Sequence, residues 1–421
     1  MDARGRAKVL MIAPGCDGND VGESWSCYQW VKGVSQYADV TLLTMARAGK
    51  ERGAAELKGV NVVSWPELQC FGRFERFSSI AKPSYVKFYY EARRWIKGEL
   101  ARGRCWDIVH QVGPIALRYP CPAAGLGLKL VLGPMAGSLE TPADFRGECK
   151  AMPWYVKLRK LDRLRLKFDP LLRKTFSDAS LVLGVAPYVK DLVSGIGIRR
   201  FESMSETGVF QVLSHRVSKP QESEFRLLHV GRLVRTKGLR DAIRALGLLK
   251  RLHGDQFVFS LDVCGTGEDE QNCVSEAKTL GIHEYIKFHG KVERADLGGL
   301  FQQADAFVFP SFREPSGNVV FEALQNGLPV ITSDRGGPGY VVNERCGFRV
   351  PVESPEQYAR ALADAIKQLA DSSDLRHRLS RGAHDRIRDV GLWSHKIPRL
   401  IQMYKEVSGV DFDAFDKRVC A

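Results

Sequence analysis

Two glutamates in the second half of the chain, Glu314 and Glu322, flank a short segment that is suited to bind an anion. Residues 316–319 begin with Ser-Gly at the start of a predicted helix, where backbone N–H groups without helical partners favour a phosphate. A carboxylate repels phosphate but accepts hydrogen bonds from two neighbouring hydroxyls, which a sugar diol offers. Acids beside a phosphate site therefore predict a ligand that carries both groups, a sugar nucleotide.

The elements that must position these side chains form one β-α-β unit. Ala306–Phe309 is a short apolar run typical of a buried parallel strand, and a helix through Phe321 and Leu324 follows it and ends at Gly327. Residues 329–332 predict the next strand. Because ligands in open α/β sheets bind at the carboxyl ends of the strands, we expect the site in the loop before this helix.

The motif Glu314-x7-Glu322, followed by Gly-Leu-Pro-Val-Ile and by Asp-Arg-Gly-Gly at 334–337, resembles the nucleotide-sugar signature of family 4 retaining glycosyltransferases. Residues 231–238, after a predicted strand at 227–230, resemble that family's G-R-L-x-x-x-K-G stretch. The resemblance implies an α/β fold of two Rossmann-like domains facing a cleft, called glycosyltransferase B. It also implies a C-terminal helix that crosses back to the first domain.

What the resemblance implies is transfer of a hexosyl unit from a nucleoside diphosphate sugar to an acceptor hydroxyl, with retention at the anomeric carbon. Arg232 and Lys237 are expected to hold the donor diphosphate and to stabilise its departing charge, so that no metal or other cofactor is required. Glu314 is assigned a catalytic role. The donor-binding residues expected beside these are Glu322, Ser316, Gly317, Asn318 and Val319.

The first half of the chain opens with the strand, loop, helix and strand order of a Rossmann-like domain, with strands predicted at 9–13 and 40–43. Gly22, in the first loop, is matched to the glycines with which the family approaches the donor diphosphate. His110 ends another predicted strand, immediately before the ligand-facing edge of the sheet. The family presents a histidine to the donor sugar from this strand, and the resemblance implies a catalytic role for His110.

The 421 residues are too many for a single core and predict two domains. We expect an acceptor-binding domain at 1–205, a nucleotide-sugar-binding domain at 206–392, and a helix and tail at 393–421 that return to the first domain. No apolar stretch approaches the ~18 residues of a membrane span, and we expect a cytoplasmic protein. The ten cysteines show no metal-binding spacing, so no metal site is expected.

The charge of the chain is unevenly distributed. Residues 1–200 contain 32 Lys and Arg against 19 Asp and Glu, whereas residues 201–421 contain 30 of each. This asymmetry predicts an anionic partner for the first half. We interpret it as docking on the cytoplasmic face of an anionic membrane, where the enzyme meets a lipid-linked or other cell-surface glycan acceptor. The basic residues assigned to this patch are Lys157, Arg159, Lys160 and Arg163.

Several alternatives stay open at this point. The basic residues also fit a cleft that holds a soluble phosphorylated acceptor, and the aromatic and basic pattern at 82–100 equally fits an ordinary helix with a buried and a solvated face. On the same fold, a sugar-nucleotide epimerase or phosphorylase would keep the donor contacts. A non-catalytic anion-binding scaffold is a third class, and no nucleic-acid-binding motif is present. Loop shape sets the sugar, the nucleotide and the acceptor, and the sequence does not reveal it.

Overall fold

A computed structural model of the chain describes residues 6–20, 22–46, 57–67, 84–149, 161–213 and 224–412. The chain forms two compact units. The first unit contains residues 1–138, 153–206 and 393–421, and the second contains residues 139–152 and 207–392.

The first unit is built on a parallel sheet of seven strands. They are β1 Lys8–Ile12, β2 Asp39–Ala46, β3 Val60–Pro66, β4 Ile108–Gln111, β5 Leu130–Met135, β6 Ala179–Gly184 and β7 Phe201–Ser203. The strand order is β3-β2-β1-β4-β5-β6-β7, so the order reverses between β1 and β4. Strands β4 and β5 are buried along their whole length, as expected for a parallel sheet that is covered on both faces.

Helices cover both faces of this sheet. They are α1 Glu23–Val34, α2 Ser84–Ala101, α3 Leu161–Phe168, α4 Pro170–Asp178 and α5 Tyr188–Leu192, together with a C-terminal helix, Trp393–Ser408. The C-terminal helix packs on α1, where Gly33 leaves room for the side chain of Ile397 and the rings of Trp30 and Trp393 lie 4.9 Å apart. The predicted return of the chain to its first domain is therefore confirmed.

The second unit repeats this architecture with six parallel strands. They are β8 Phe225–Val230, β9 Phe259–Cys264, β10 Ile286–Gly290, β11 Ala306–Phe309, β12 Val330–Ser333 and β13 Gly347–Val350. The strand order is β10-β9-β8-β11-β12-β13, which reverses between β8 and β11. Its helices are α6 Leu239–His253, α7 Glu270–Thr279, α8 Leu297–Gln303, α9 Asn318–Gln325, α10 Gly336–Val341, α11 Pro355–Asp371 and α12 Ser373–Val390.

Both sheets have the doubly wound order of Rossmann folds, in which the third, second and first strands of a unit are followed by the fourth. The predicted fold class, two Rossmann-like α/β domains, is confirmed. The β-α-β unit predicted from the apolar runs and glycines at 306–332 is β11, α9 and β12.

One domain boundary differs from the prediction. Residues 139–152 were expected in a first domain spanning 1–205, but they belong to the second unit. Phe145 is fully buried there, 4.7 Å from the ring of Phe312, and Glu148 pairs with Arg235 at 2.6 Å. Burial of an aromatic ring and a charge-assisted pair outweigh the proximity of this segment to β5 in the sequence.

Candidate functional site

In the second unit, the two strands at the reversal point end in the loops that hold most of the predicted residues. Strand β8 is followed by residues 231–238, with Arg232 and Lys237, and β11 is followed by residues 310–317, with Glu314. At such a reversal the two connections run to opposite faces and leave a crevice at the carboxyl edge of the sheet. The predicted cations and the first glutamate therefore lie at one edge of one sheet.

Glycines allow these loops to approach each other closely. Gly238 has φ 80°, and a Cβ at this position would overlap the carbonyl oxygen of Pro310. Gly336 has φ 63°, and a Cβ there would overlap the carbonyl oxygen of Glu314. Only glycine fits the backbone conformation and the space at both positions. These two glycines therefore allow the backbone next to Lys237 to pack against Pro310, and the backbone at Gly336 to pack against Glu314.

Lys237 forms an ion pair with Glu314, and its Nζ lies 5.4 Å from the centre of the Phe309 ring. The two charged side chains are only 13% and 16% exposed, so water and salt screen the pair weakly. Glu314 Oε1 also accepts a hydrogen bond of 3.2 Å from the Gly317 N–H. The carboxylate thus connects the lysine to the residue that precedes α9.

The electrostatics of the site favour an incoming anion. Burial and the neighbouring Arg232 guanidinium lower the pKa of Lys237 to about 7. Arg232 is exposed, and it has no hydrogen-bond or ion-pair partner among the described residues. Glu314 compensates only one of the two cations. A bound diphosphate would compensate both, because its oxygens accept from an ammonium and a guanidinium together.

At the start of α9, one of the backbone N–H groups predicted to bind an anion already has a partner within the protein. Of the predicted residues, Ser316 is buried, Asn318 is exposed and Val319 is half-buried. The Gly317 N–H, which the sequence predicted as an anion donor, donates to the Glu314 carboxylate instead. Because Glu314 stands three residues before Gly317, its side chain reaches forward along the chain and accepts from the N–H that precedes the first helical turn.

Glu322 lies in the second turn of α9 and pairs with Arg294 at 2.8 Å. Burial raises the pKa of Glu322, against the opposing effect of the arginine. The glutamate is 21% exposed and Arg294 is 71% exposed. The second glutamate is therefore a largely buried acceptor whose counter-ion faces the solvent.

His229 is a buried polar residue of this edge that the sequence did not single out. Its Nδ1–H donates to the carbonyl of Val308 at 2.9 Å, while Nε2 is buried and lacks a partner in the described part of the chain. Burial lowers the pKa of His229 to about 4, so the ring is neutral with a lone pair on Nε2. The available signal was a histidine near the end of a strand that borders the reversal point, the same signal that selected His110.

Arg235 is a cation that lies between the two predicted cations in the sequence but belongs to the core. It pairs with Asp241 at 2.6 Å and with Glu148 at 2.6 Å, and its guanidinium lies 5.3 Å from the rings of Phe145 and Phe312. With both pairs made and its side chain 5% exposed, it has no capacity left for a ligand. Its contacts with Phe145 and Glu148 hold residues 139–149 on the second unit.

Residues 212–386, most of the second unit, match the family described as glycosyl transferases group 1. The second unit is a group 1 glycosyltransferase domain. Arg232, Lys237 and Glu314 lie among the matched residues, while the narrower assignment to family 4 stays a prediction.

Relatives of this glycosyltransferase domain include enzymes of glycan synthesis. The chain is 32% identical over 187 residues to glycogen synthase of Mycobacterium tuberculosis, which covers 44% of each protein. It is 29% identical over 251 residues to the lipopolysaccharide core biosynthesis glycosyltransferase LpsE of Rhizobium meliloti, which covers 58% of this chain and 68% of LpsE. The chain thus spans less than half the length of the glycogen synthase.

Solved structures share the whole fold. The sucrose-phosphate synthase of Thermosynechococcus elongatus has a TM-score of 0.66 at 16% identity, over 96% of this chain and 100% of that structure. Anabaena HepE in complex with UDP has a TM-score of 0.63 at 16% identity, over 95% of this chain and 100% of that structure. At this identity the likeness establishes the fold, the glycosyltransferase B type that the sequence predicted.

In the first unit, the structure corrects the catalytic role predicted for His110. The side chain is fully buried, its Nε2–H donates to the carbonyl of Gly133, and its Nδ1 accepts from the hydroxyl of Tyr404, each at 2.5 Å. Burial lowers the pKa of His110 to about 4. Both ring nitrogens are used, so His110 joins β4, β5 and the C-terminal helix and has no nitrogen left for a donor sugar.

Among the other residues predicted to function in the first unit, the structure describes Gly22 and Arg163. Gly22 has φ 68° and precedes α1, with open space where a Cβ would stand, and its donor contact stays a prediction. Arg163 is exposed on α3. The rest of the predicted basic patch, Lys157, Arg159 and Lys160, lies outside the described residues.

Within the described ranges, no three His, Cys, Asp or Glu side chains are grouped so that they could hold a metal ion. Over the same residues, no helix combines the length and the apolar character that a membrane crossing requires.

Proposed function

We propose that this chain transfers a hexosyl unit from a nucleoside diphosphate sugar to an acceptor hydroxyl with retention of anomeric configuration. The observation that supports it best is the largely buried Lys237–Glu314 pair beside Arg232, which has no partner within the described ranges. These residues lie at the strand-order reversal of the unit that matches group 1 glycosyltransferases. This arrangement offers two cations for a diphosphate and one carboxylate for a sugar diol.

Donor binding would rearrange the Lys237–Glu314 pair. A diphosphate that accepts from Arg232 and Lys237 competes with the carboxylate for the ammonium and leaves Glu314 able to accept from sugar hydroxyls. The two cations then face the oxygens on which negative charge grows as the sugar departs. Fixed cations stabilise that charge in a weakly screened site, and we propose that they do so without a metal.

The chemical step breaks the bond between the anomeric carbon and the β-phosphate oxygen and forms a bond from that carbon to the acceptor oxygen. The acceptor proton passes to the departing diphosphate on the same face of the sugar, which gives retention without a covalent enzyme intermediate. In this scheme Glu314 and Glu322 position and stabilise the sugar, and neither attacks it. His110 takes no part.

For the acceptor, we propose a lipid-linked or cell-surface glycan, in polysaccharide or lipopolysaccharide synthesis at the cytoplasmic face of a membrane. The net charge of the first half and the similarity to LpsE support this choice. For the donor, the complexes of HepE with UDP and with UDP-glucose make UDP-sugars the first to test.

Product analysis tests the proposed function. The purified protein is incubated with a nucleoside diphosphate sugar and a glycan acceptor, with and without EDTA, and the product is examined by NMR of its anomeric proton. We expect a glycoside with the donor's anomeric configuration, unaffected by EDTA. Inversion, or activity that EDTA removes and Mg²⁺ or Mn²⁺ restores, would overturn the retention or the metal-free step. An altered sugar nucleotide without a glycosylated product would support the epimerase alternative.

Substitution of the two glutamates tests the site itself. Charge-assisted hydrogen bonds contribute roughly 1.5–3 kcal/mol, so Glu314→Gln and Glu322→Gln should each lower kcat/KM by about tenfold to a hundredfold. The matched control is Arg294→Gln, which removes the exposed partner of Glu322 and should leave kcat/KM within a few-fold of wild type. Wild-type kinetics in both glutamine variants would refute the assignment.

A further inference from the structure

Large apolar side chains are exposed on two helical stretches of the first unit, residues 84–101 (α2) and residues 161–178 (α3 and α4). Among the nine such exposed side chains in the described residues, five lie on α2, α3 and α4. We call these five the apolar patch; they are Val86 (61% exposed), Tyr90 (63%), Leu164 (53%), Phe168 (67%) and Leu171 (46%). Single exposed apolar side chains are ordinary, whereas a group within two neighbouring stretches marks an interaction surface.

The helical spacing places members of the patch on common faces. Val86 and Tyr90 stand four positions apart on α2, and Leu164 and Phe168 stand four positions apart on α3, so each pair shares one side of its helix. The opposite side of α2 provides the buried aromatics, such as Phe88, which is 1% exposed. The aromatic repeat of α2 thus supplies both a core face and an exposed one.

The two stretches are neighbours in the first unit. Both stretches contact the same connecting segment, since Arg93 of α2 donates to the carbonyl of Pro122 at 2.8 Å and Thr175 of α4 accepts from the N–H of Cys121 at 2.9 Å. The five exposed side chains therefore belong to two stretches that contact the same segment of the first unit.

Cations are frequent in both stretches. The two stretches, 84–101 and 161–178, contain nine Lys and Arg against five Asp and Glu. Arg94 continues the exposed face of α2 one turn beyond Tyr90, and the Nζ of Lys167 lies 5.2 Å from the ring centre of Phe168. Apolar side chains between the long stems of Lys and Arg are typical of helices that lie in the interface of an anionic membrane.

We propose that the apolar patch is a membrane-docking surface, on which α2 and α3 lie in the headgroup region of an anionic bilayer with Tyr90, Leu164 and Phe168 inserted among the acyl chains. The docking surface adds to the proposed function a place where the enzyme meets a lipid-linked acceptor. The docking proposal rests on the proposed function only for the identity of that acceptor. It differs from docking by charge alone, since the inserted side chains hold the protein when salt screens the cations.

The composition of the rim favours a lipid partner over a protein. Protein interfaces are depleted in Lys, because its strongly hydrated ammonium is costly to bury, whereas a lipid headgroup layer leaves that ammonium hydrated beside phosphate. Lys87, Lys97, Lys167 and Lys174 all belong to the two stretches that carry the patch. An acidic protein partner or a second copy of the chain is the competing occupant.

Co-sedimentation with vesicles tests the proposal. The full chain is mixed with phosphatidylcholine vesicles that contain either no anionic lipid or 30 mol % phosphatidylglycerol, at about 0.05 M and about 0.5 M salt. We expect binding that requires the anionic lipid and that falls with salt but stays measurable at about 0.5 M. Leu164→Ser with Phe168→Ser should lower the partition coefficient about tenfold or more and abolish the salt-resistant part.

Two controls make the result specific. Leu252→Ser removes a side chain that is 70% exposed in the second unit and should bind vesicles like wild type. Donor turnover with a soluble acceptor should be unchanged in the serine double variant, so a failure of docking and a failure of the transferase assignment give different results. Wild-type partitioning in the double variant overturns the proposal. So does a sedimentation experiment in which the patch holds two copies together while vesicles stay unbound.

Discussion

The protonation state of Lys237 should determine how strongly the proposed site binds a diphosphate. The pKa of Lys237, about 7 without a ligand, lies well below the usual value for lysine. Only the protonated ammonium attracts a diphosphate. Donor affinity should therefore be greatest below pH 7 and fall as the pH rises above it, by up to about tenfold per pH unit.

A calorimetric titration of a nucleoside diphosphate sugar from pH 6 to pH 9 measures this dependence. The matched control is Lys237→Arg, because a guanidinium stays protonated throughout that range and should give a nearly flat profile. Such donors have no phosphate group that titrates above pH 6, so a slope in the wild type reports the protein. Equal slopes in wild type and Lys237→Arg would show that Lys237 is not the titrating group.

His110 offers a second test at this scale, since the sequence predicts catalysis and the structure indicates a buried connection. His110→Phe keeps the ring volume but leaves the Tyr404 hydroxyl and the Gly133 carbonyl without their partner. Unsatisfied buried groups cost about 1–3 kcal/mol each, so the free energy of unfolding measured in urea should fall by at least about 1–3 kcal/mol. Donor affinity should not change.

The His110 experiment separates the two roles cleanly. A variant of unaltered stability that has lost kcat would restore the catalytic role and refute the structural one. The sequence could not decide this, because the end of a strand next to a glycine-proline loop is equally the place of a ligand contact and of a buried tie to another element. Only the C-terminal helix, which brings Tyr404 to Nδ1, distinguishes them.

Among the elements, the turn Arg235–Lys237 contains one cation that is buried in the core and one, Lys237, that we propose binds the donor. Arg235→Met removes the closer of the two arginines that pair with both Asp241 and Glu148, since Arg244 stays 3.8 Å from Asp241 and 2.9 Å from Glu148. The free energy of unfolding should fall by up to roughly 3–5 kcal/mol. Arg232→Met, three positions earlier and exposed, should leave stability within about 0.5 kcal/mol while weakening donor binding. Thermal unfolding and donor titration of the two variants check the pair. The opposite pattern would exchange the roles of the two arginines.

The elements themselves were largely predictable. The apolar run of β11, the Ser-Gly before α9 and Gly327 after it define a β-α-β unit by local rules of burial, capping and turns. The path of 139–152 was not predictable in the same way. Its place in the second unit depends on Phe145 and Glu148 meeting residues far along the chain, and nothing local records such contacts. The buried contacts of Arg235 with Glu148 and of His229 with Val308 were unpredictable for the same reason, because these partners are distant in the sequence.

Over the length of the molecule, the two halves of the chain differ in charge. The second half of the chain has equal numbers of acidic and basic residues and contains the proposed donor site, whereas the excess positive charge lies in residues 1–200. The length and composition of the chain predict two domains and the charge asymmetry, but not the exposed faces of α2 and α3. Burial decides which aromatics of an amphipathic helix enter the core, and that follows from the neighbours of the helix.

We propose that the second unit holds a nucleoside diphosphate sugar through Arg232 and Lys237. Calorimetric titration of UDP, GDP and their common sugars into wild type and into the double variant Arg232→Gln with Lys237→Gln, at pH 6.5, measures this binding. Each charge-assisted contact contributes roughly 1.5–3 kcal/mol, so the wild type should bind at least one compound and the double variant should bind it at least a hundredfold more weakly. Equal affinity in both proteins, or no binding of any of these compounds by the wild type at millimolar concentration, would contradict the account.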